Sequence, residues 1–366
     1  MAADLAQYTL PGGRPIQPLP KVSLHDHLDG GLRPQTIIEL ADELGLEVPV
    51  ADAAALGDWF VAQCTGGDLV AYLSTFDLTL SVMQTARGLE RIAREFVEDL
   101  AADGVVYGEI RWAPEQHLAR GLSLDEAVEA VQRGIEQGID AAAARGHAIR
   151  AGQLVTAMRQ HDRGREIAEL AVRHRDRGVV GFDIAGPEAG FPASRHRAAF
   201  DLLAESFLPR TVHAGEAAGL DSIRGAIVDG RALRLGHGVR IAEDIELEDD
   251  GALTRATLGE VARWVRDREI ALEVAPTSNL QTGAWGRTIE EHPFDLLYQL
   301  GFRVTVNPDN RLMSRTTVTQ ELALLAGTFG YDLDDLAAFQ LNAAAAAFLP
   351  LEDREALAEA IEQGYA

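Results

Sequence analysis

The stretch KVSLHDHLDGG, residues 21–31, ends a short apolar run in two histidines one residue apart, then an aspartate and two glycines. In an extended chain alternate side chains share a face, so His25 and His27 point together and Asp26 points away. Two imidazoles converging in this way suit a divalent first-row metal. They suit equally the solvated end of a strand. What the other strands bring alongside decides between the two.

Seven further β-branched runs follow: GVVYGEIRW (104–112), IRAGQLVTAM (149–158), GVVGFDIAG (178–186), RTVHAGE (210–216), ALRLGHG (232–238), IALEVAPTSN (270–279) and FRVTVNPDN (302–310). Amphipathic segments lie between them, at 124–145, 163–175, 219–229 and 254–267. Strand–helix alternation implies parallel strands with right-handed crossovers, and eight such units close a (β/α)8 TIM barrel. Residues 32–103 exceed one crossover and are expected as extra helices between the first and second strands, one of them running from about Tyr72 to Ala102. GDWF (57–60) reads as local packing rather than a lid. No linker or repeat divides the chain, so residues 1–20 are expected as a tail and 21–366 as a single barrel domain.

In a barrel, chemistry sits at the carboxyl ends of the strands. The first run ends in His25 and His27, the fifth in His213 and Glu216, the sixth in His237, and the last in Asp309 and Asn310. Closure makes strands one and eight neighbours and turns these ends towards one axis. Three histidines and an aspartate form a donor set for zinc or a similar ion, which acidifies water and supplies hydroxide. Glu216 then suits proton transfer, and His237 suits orienting the nucleophile. Spacing alone also allows Glu216 as the ligand with His213 behind it. The residues by themselves point to a mononuclear metal-dependent hydrolase.

Composition excludes several partners. Thirty-three basic against 57 acidic residues give a net charge of −24, which repels nucleic acid and anionic membrane surfaces. Cys64 is the only cysteine, so no intrachain disulfide and no CxxC zinc site can form. The opening residues carry neither a basic nor an apolar leader, and no apolar run is long enough to span a bilayer; the expectation is a cytoplasmic enzyme. The surface carries no assembly signal.

PKVSLHDHLDG, GVVGFDIAG, HAGE, RLGHG, PTSNLQTG and VNPDN together resemble, in order and approximate spacing, the adenosine deaminases of the amidohydrolase superfamily. The resemblance runs from about Pro20 to the last helices. It implies a (β/α)8 barrel holding one zinc ion per chain, and hydrolytic deamination of adenosine and 2′-deoxyadenosine to inosine or deoxyinosine plus ammonia. It makes His25, His27, His213 and Asp309 the zinc ligands and Glu216 the proton donor to purine N1. His237 would steady the attacking hydroxide with help from Asp309. His27, Asp29, Gly186 and Asn310 would meet the substrate: Asp29 at the ribose 5′-hydroxyl, the Gly186 N–H at N3, and Asn310 at N7.

Three positions depart from the family pattern. Asn310 replaces a second aspartate, and its amide donates to N7 without needing a proton. Ala275 stands where cysteine is common, and Pro187 where an acid is frequent. The cytidine-deaminase type is excluded, since its H-x-E and P-C-x-x-C are absent. The rival substrates are adenine, AMP or a 5′-modified nucleoside such as aminodeoxyfutalosine; a carboxylate at position 29 disfavours a 5′-phosphate. A binuclear hydrolase with a bridging lysine is disfavoured because Lys21, the only lysine, precedes the first strand. A non-catalytic binding protein on the same barrel would be expected to have lost Glu216 or a ligand.

Overall fold

The apolar runs form eight parallel strands. The computed structural model describes residues 7–65, 69–249 and 254–366. The strands are β1 (Lys21–His27), β2 (Val105–Trp112), β3 (Arg150–Met158), β4 (Val179–Ala185), β5 (Thr211–Ala214), β6 (Arg234–His237), β7 (Ala271–Val274) and β8 (Val304–Val306). Continuous parallel pairing links β1 to β4 and, separately, β5 to β8. Two narrow seams join these halves into the expected barrel: Phe182 pairs with Arg210, and Asp26 with Asp309.

The β8–β1 seam is made largely by residues beyond the end of β8. The Asn307 side-chain oxygen accepts from the Leu24 and His25 N–H groups at 2.9 and 3.1 Å. Asp309 donates its N–H to the His25 carbonyl at 3.0 Å, and its own carbonyl accepts from His27 at 2.8 Å. Closure therefore places Asp309 directly beside the two histidines of β1.

Three expectations are corrected. No helix spans Tyr72 to Ala102; the insert instead contains Pro34–Leu44, Ala53–Cys64, Leu69–Leu73, Phe76–Val82 and Ala86–Ala102. The last of these starts afresh because the Thr85 side chain accepts from the Gly88 N–H, a standard N-cap. The segment 254–267 is not helical throughout. Thr254–Leu258 pairs antiparallel with Ile245–Asp249, and the helix begins only at Glu260. The seventh run leaves the sheet at Val274, and Pro276 at a first-turn position opens a short helix, Pro276–Gln281.

The outer layer packs closely. Leu124–Ala144, opened by a Ser123–Glu126 capping box, lies against Ala86–Ala102. A Cβ at Gly134 would come within 2.2 Å of the Glu90 carbonyl oxygen, so only glycine permits this approach. In GDWF, Phe60 is fully buried and Trp59 packs edge-on against it at 5.0 Å, a packing role as expected. Ile16 and Leu19 enter the core ahead of β1, and the Lys21 ammonium donates to the Gln17 and Leu19 carbonyls at 2.8 and 2.7 Å. Among the described residues no helix is long and apolar enough to cross a membrane.

Asn307→Ala leaves the buried Leu24 and His25 N–H groups without an acceptor. It should lower unfolding free energy by about 2–4 kcal/mol. Urea unfolding checks this, and Asn307→Asp should not restore stability, because a buried carboxylate oxygen would replace the Nδ2 that donates to the Val274 carbonyl at 3.2 Å and to Thr305 Oγ1 at 2.9 Å. A loss no larger than that of a surface substitution would show that the seam does not depend on this side chain.

Candidate active site

His25 and His27 point into the barrel from the end of β1, while Asp26 on the opposite face pairs with Arg311 at 2.8 Å. His213 comes from β5, His237 from the end of β6, and Asp309 from the loop after β8. His237 and Asp309 have φ of +61° and +60°, a left-handed conformation that costs non-glycine residues roughly 1 kcal/mol or more. The surrounding bonds hold them there.

The donor atoms converge. His25 Nε2 and His27 Nε2 lie 3.2 and 3.3 Å from Asp309 Oδ1, and His27 Nε2 lies 3.3 Å from His213 Nε2. Donors about 2.0–2.1 Å from a tetrahedral ion stand roughly 3.3 Å from one another, so the spacing fits one zinc-sized cation. His25 Nε2 is also fully buried with no hydrogen-bond partner, as expected of a metal donor. His237 lies close enough to His25 and His213 to belong to an overlapping group.

The far sides of three of the four donors are fixed. His25 Nδ1 is 2.9 Å from Glu273 Oε2, and His213 Nδ1 is 2.9 Å from Asp183 Oδ2. Each carboxylate holds the proton on Nδ1 and leaves Nε2 free to coordinate. Ser278 Oγ donates to Asp309 Oδ2 at 2.6 Å, so Oδ1 turns to the centre. Asn279 Nδ2 donates to His237 Nδ1 at 3.0 Å, leaving the His237 proton on Nε2, 3.6 Å from Glu216. Ser278 and Asn279 both ride on Pro276–Gln281, which explains the PTSN motif.

Behind the histidines lies a dry ionic cluster. Arg111 reaches Asp183 at 3.0 Å and Glu273 at 2.6 Å, and Arg234 reaches Glu273 at 2.6 Å and Glu109 at 2.5 Å. The sequence reading did not single out Arg111, Asp183, Glu273, Ser278 or Asn279. The signal was present: charged residues inside otherwise apolar strands, as in EIRW, GFDIAG and ALEVA.

Electrostatics divide the roles. Burial holds His27, His213 and His237 below the ordinary imidazole range, in the neutral form that a metal accepts. Burial would raise Asp309, but hydrogen bonding and charge from His25 draw it well below the carboxylate range. Glu216 goes the other way. Burial, and then the charges of Asp309 and Glu188, push it well above the usual range, which favours a protonated carboxyl able to donate.

Over this centre opens a cavity of about 350 Å³, lined by every sequence-named residue except the more deeply buried His25. Helices Leu69–Leu73 and Phe76–Val82 supply one wall. Gly186, at φ +102°, also lines the cavity, and Asp29 has a buried oxygen without a partner. Burial raises Asp29 to about 7. Gly30 makes room for Asn310, since a Cβ there would lie 2.0 Å from Asn310 Oδ1. Among the described residues lining it are four acids, Asp29, Asp77, Glu216 and Asp309, and no lysine or arginine. A larger hollow of about 640 Å³ at the amino-terminal mouth is lined by none of the sequence-named site residues.

A parallel barrel with converging imidazole and carboxylate donors at the strand ends defines a metal-dependent hydrolase of the amidohydrolase type. The family model for adenosine deaminase matches residues 20–364. Adenosine deaminase 1 of Streptomyces coelicolor is 54% identical over 353 residues, 96% of this chain and 88% of that protein. Arabidopsis ADAL complexed with IMP superposes with a TM-score of 0.79 at 26% identity, covering 95% of this chain and 97% of that one. A Burkholderia ambifaria amidohydrolase with bound zinc gives 0.78 at 25% identity, over 96% of this chain and 91% of that one. The chain belongs to the adenosine deaminase family and is a hydrolytic deaminase.

Asp183→Asn should disturb the His213 tautomer without emptying the space. Affinity for a divalent ion should fall about 10–100-fold, measured by competition with a chromogenic chelator. Unchanged affinity would remove Asp183 from the site's support.

Proposed function

We propose that this protein hydrolyses the 6-amino group of adenosine and 2′-deoxyadenosine, giving inosine or deoxyinosine plus ammonia, with one zinc ion held by His25, His27, His213 and Asp309. The reading is carried by one arrangement: a carboxyl favouring its protonated form, Glu216, faces the same small cavity as three of four converging donors, His27, His213 and Asp309, with His25 buried behind them. The bound ion would supply Lewis acidity, making a water nucleophilic at neutral pH. The protein's own groups supply the rest.

C6 of a purine resists addition because attack breaks ring conjugation. Glu216 donates its proton to N1, so electrons of the C6–N1 bond are drawn to nitrogen as oxygen adds to C6. His237, neutral and carrying its proton on Nε2, hydrogen-bonds the incoming oxygen and steadies its charge. The C6–N6 bond then breaks as the amino group takes the proton of the new C6 hydroxyl and leaves as ammonia; the retained oxygen becomes the 6-oxo group, N1 keeps the proton from Glu216, and the water's other proton restores the Glu216 carboxyl. Asn310 donates to N7, and the Gly186 N–H faces N3. Asp29, buried with an unpartnered oxygen, accepts from the ribose 5′-hydroxyl.

The substrate is a nucleoside rather than a nucleotide. Asp29 and Asp77 line the cavity and no basic residue among the described ones does, so a 5′-phosphate would meet carboxylates without a cation to balance it. The Arabidopsis protein of similar fold was seen with a nucleotide, so the fold alone does not decide; the acidic lining of this chain's cavity favours the nucleoside. Free adenine would leave the Asp29 oxygen unmatched.

Turnover of adenosine, 2′-deoxyadenosine, adenine and AMP, followed by ultraviolet absorbance, tests this directly. Both nucleosides should react, with kcat/KM for AMP lower by at least roughly 100-fold. Glu216→Gln should keep its metal and lose about 10²–10⁴-fold in kcat. Metal-loaded enzyme inert to adenosine, or equally fast on AMP, would sink the reading.

A further inference from the structure

Four consecutive backbone N–H groups of the loop after β5 converge on one side chain. Glu188 Oε1 accepts from Gly215 at 2.7 Å, and Oε2 accepts from Glu216, Ala217 and Ala218 at 3.0, 2.6 and 2.9 Å. Glu188 is 4% exposed and belongs to the loop after β4, two residues beyond Gly186. A carboxylate offers about four acceptor sites, and here the loop fills them. Successive amides curled round an anion form a nest, and Gly215, at φ +74°, supplies the bend that turns its N–H inward.

The consequence falls on Glu216. Its own amide is one of the four donors, with further bonds on either side, so its backbone cannot rotate without breaking several charge-assisted hydrogen bonds. The same contact ties two walls of the cavity together, since Gly186 and Glu216 both line it. Arg159 holds the chain three residues upstream, donating to the His213 carbonyl at 3.0 Å. Position 187, where the family often has an acid, is proline here; the acid at 188 makes the contact.

We propose that Glu188 is a positioning residue for Glu216: its carboxylate, clamped by the amides of 215–218, sets where the proton donor stands relative to the substrate ring. The inference rests on the deaminase reading of Glu216. Glu188→Gln preserves shape but replaces one acceptor oxygen with an NH2 that opposes amide donors. Glu188→Asp preserves the charge on a stem one methylene shorter.

Full-length, zinc-loaded wild type, E188Q and E188D should be compared for adenosine kinetics, metal content and hydrogen exchange at residues 215–218. A misplaced donor should cost E188Q on the order of 10–100-fold in kcat while KM stays within about threefold. Metal content should match wild type, protection of the loop amides should fall, and E188D should recover part of kcat. A kcat within about twofold of wild type overturns the proposal, as does a loss explained entirely by missing metal or unfolded protein. Should E188Q not fold, E188D is judged by the same split between kcat and KM. If the wild type turns over no 6-aminopurine nucleoside, the deaminase reading fails separately. Loop exchange then decides the clamp: faster exchange in the variant supports it, and unchanged exchange overturns it.

Discussion

A guanidinium without water around it underlies the whole centre. Arg111 is fully buried and grips Asp183 with one nitrogen, and Glu273 and the Leu24 carbonyl with another. Asp183 in turn fixes His213, and Glu273 fixes His25. Ions buried this deeply are tolerated only when every partner is in place, and breaking one side of such a pair costs about 3–5 kcal/mol. The cluster of Arg111, Arg234, Glu109, Asp183 and Glu273 carries two positive and three negative charges. Its surplus negative charge sits directly behind the histidines, where it favours a cation.

Strain at the centre is supported by a short helix. His237 and Asp309 adopt left-handed backbone conformations, and each is met from Pro276–Gln281, Asp309 by Ser278 and His237 by Asn279. His292 lies 3.3 Å from the Asn279 oxygen, which sets the direction in which that amide faces. One six-residue element thus orients a proposed metal donor and the group proposed to steady the nucleophile.

The fold was legible because each strand announces itself as a short β-branched run, and the candidate site because the residues proposed as ligands close those runs. What failed were boundaries. The break between Val82 and Ala86 lacks glycine or proline, and only the Thr85 cap marks it. TRATL has the alternation of a strand, but its pairing with IELED appears only in the antiparallel register. The supporting charges were visible as polar residues in apolar strands, yet their partners were not. Arg111 stands 72 residues from Asp183 and 162 from Glu273, distances over which local pattern carries no pairing information. Glu188 was hidden for the same reason: its partners are amides of another loop, and backbone groups leave no trace in composition.

The seam between β8 and β1 has a temporal meaning. Asp309 completes both the closing backbone bridge and the donor set begun by His25 and His27. Nearly three hundred residues must emerge between the first ligand and the last, and contacts so distant in sequence form late in folding. A chain ending short of Asp309 carries three of the four proposed donors, with its β1 edge open and Leu24 and His25 lacking the Asn307 acceptor. Closing this seam and completing the proposed donor set therefore depend on the same few residues.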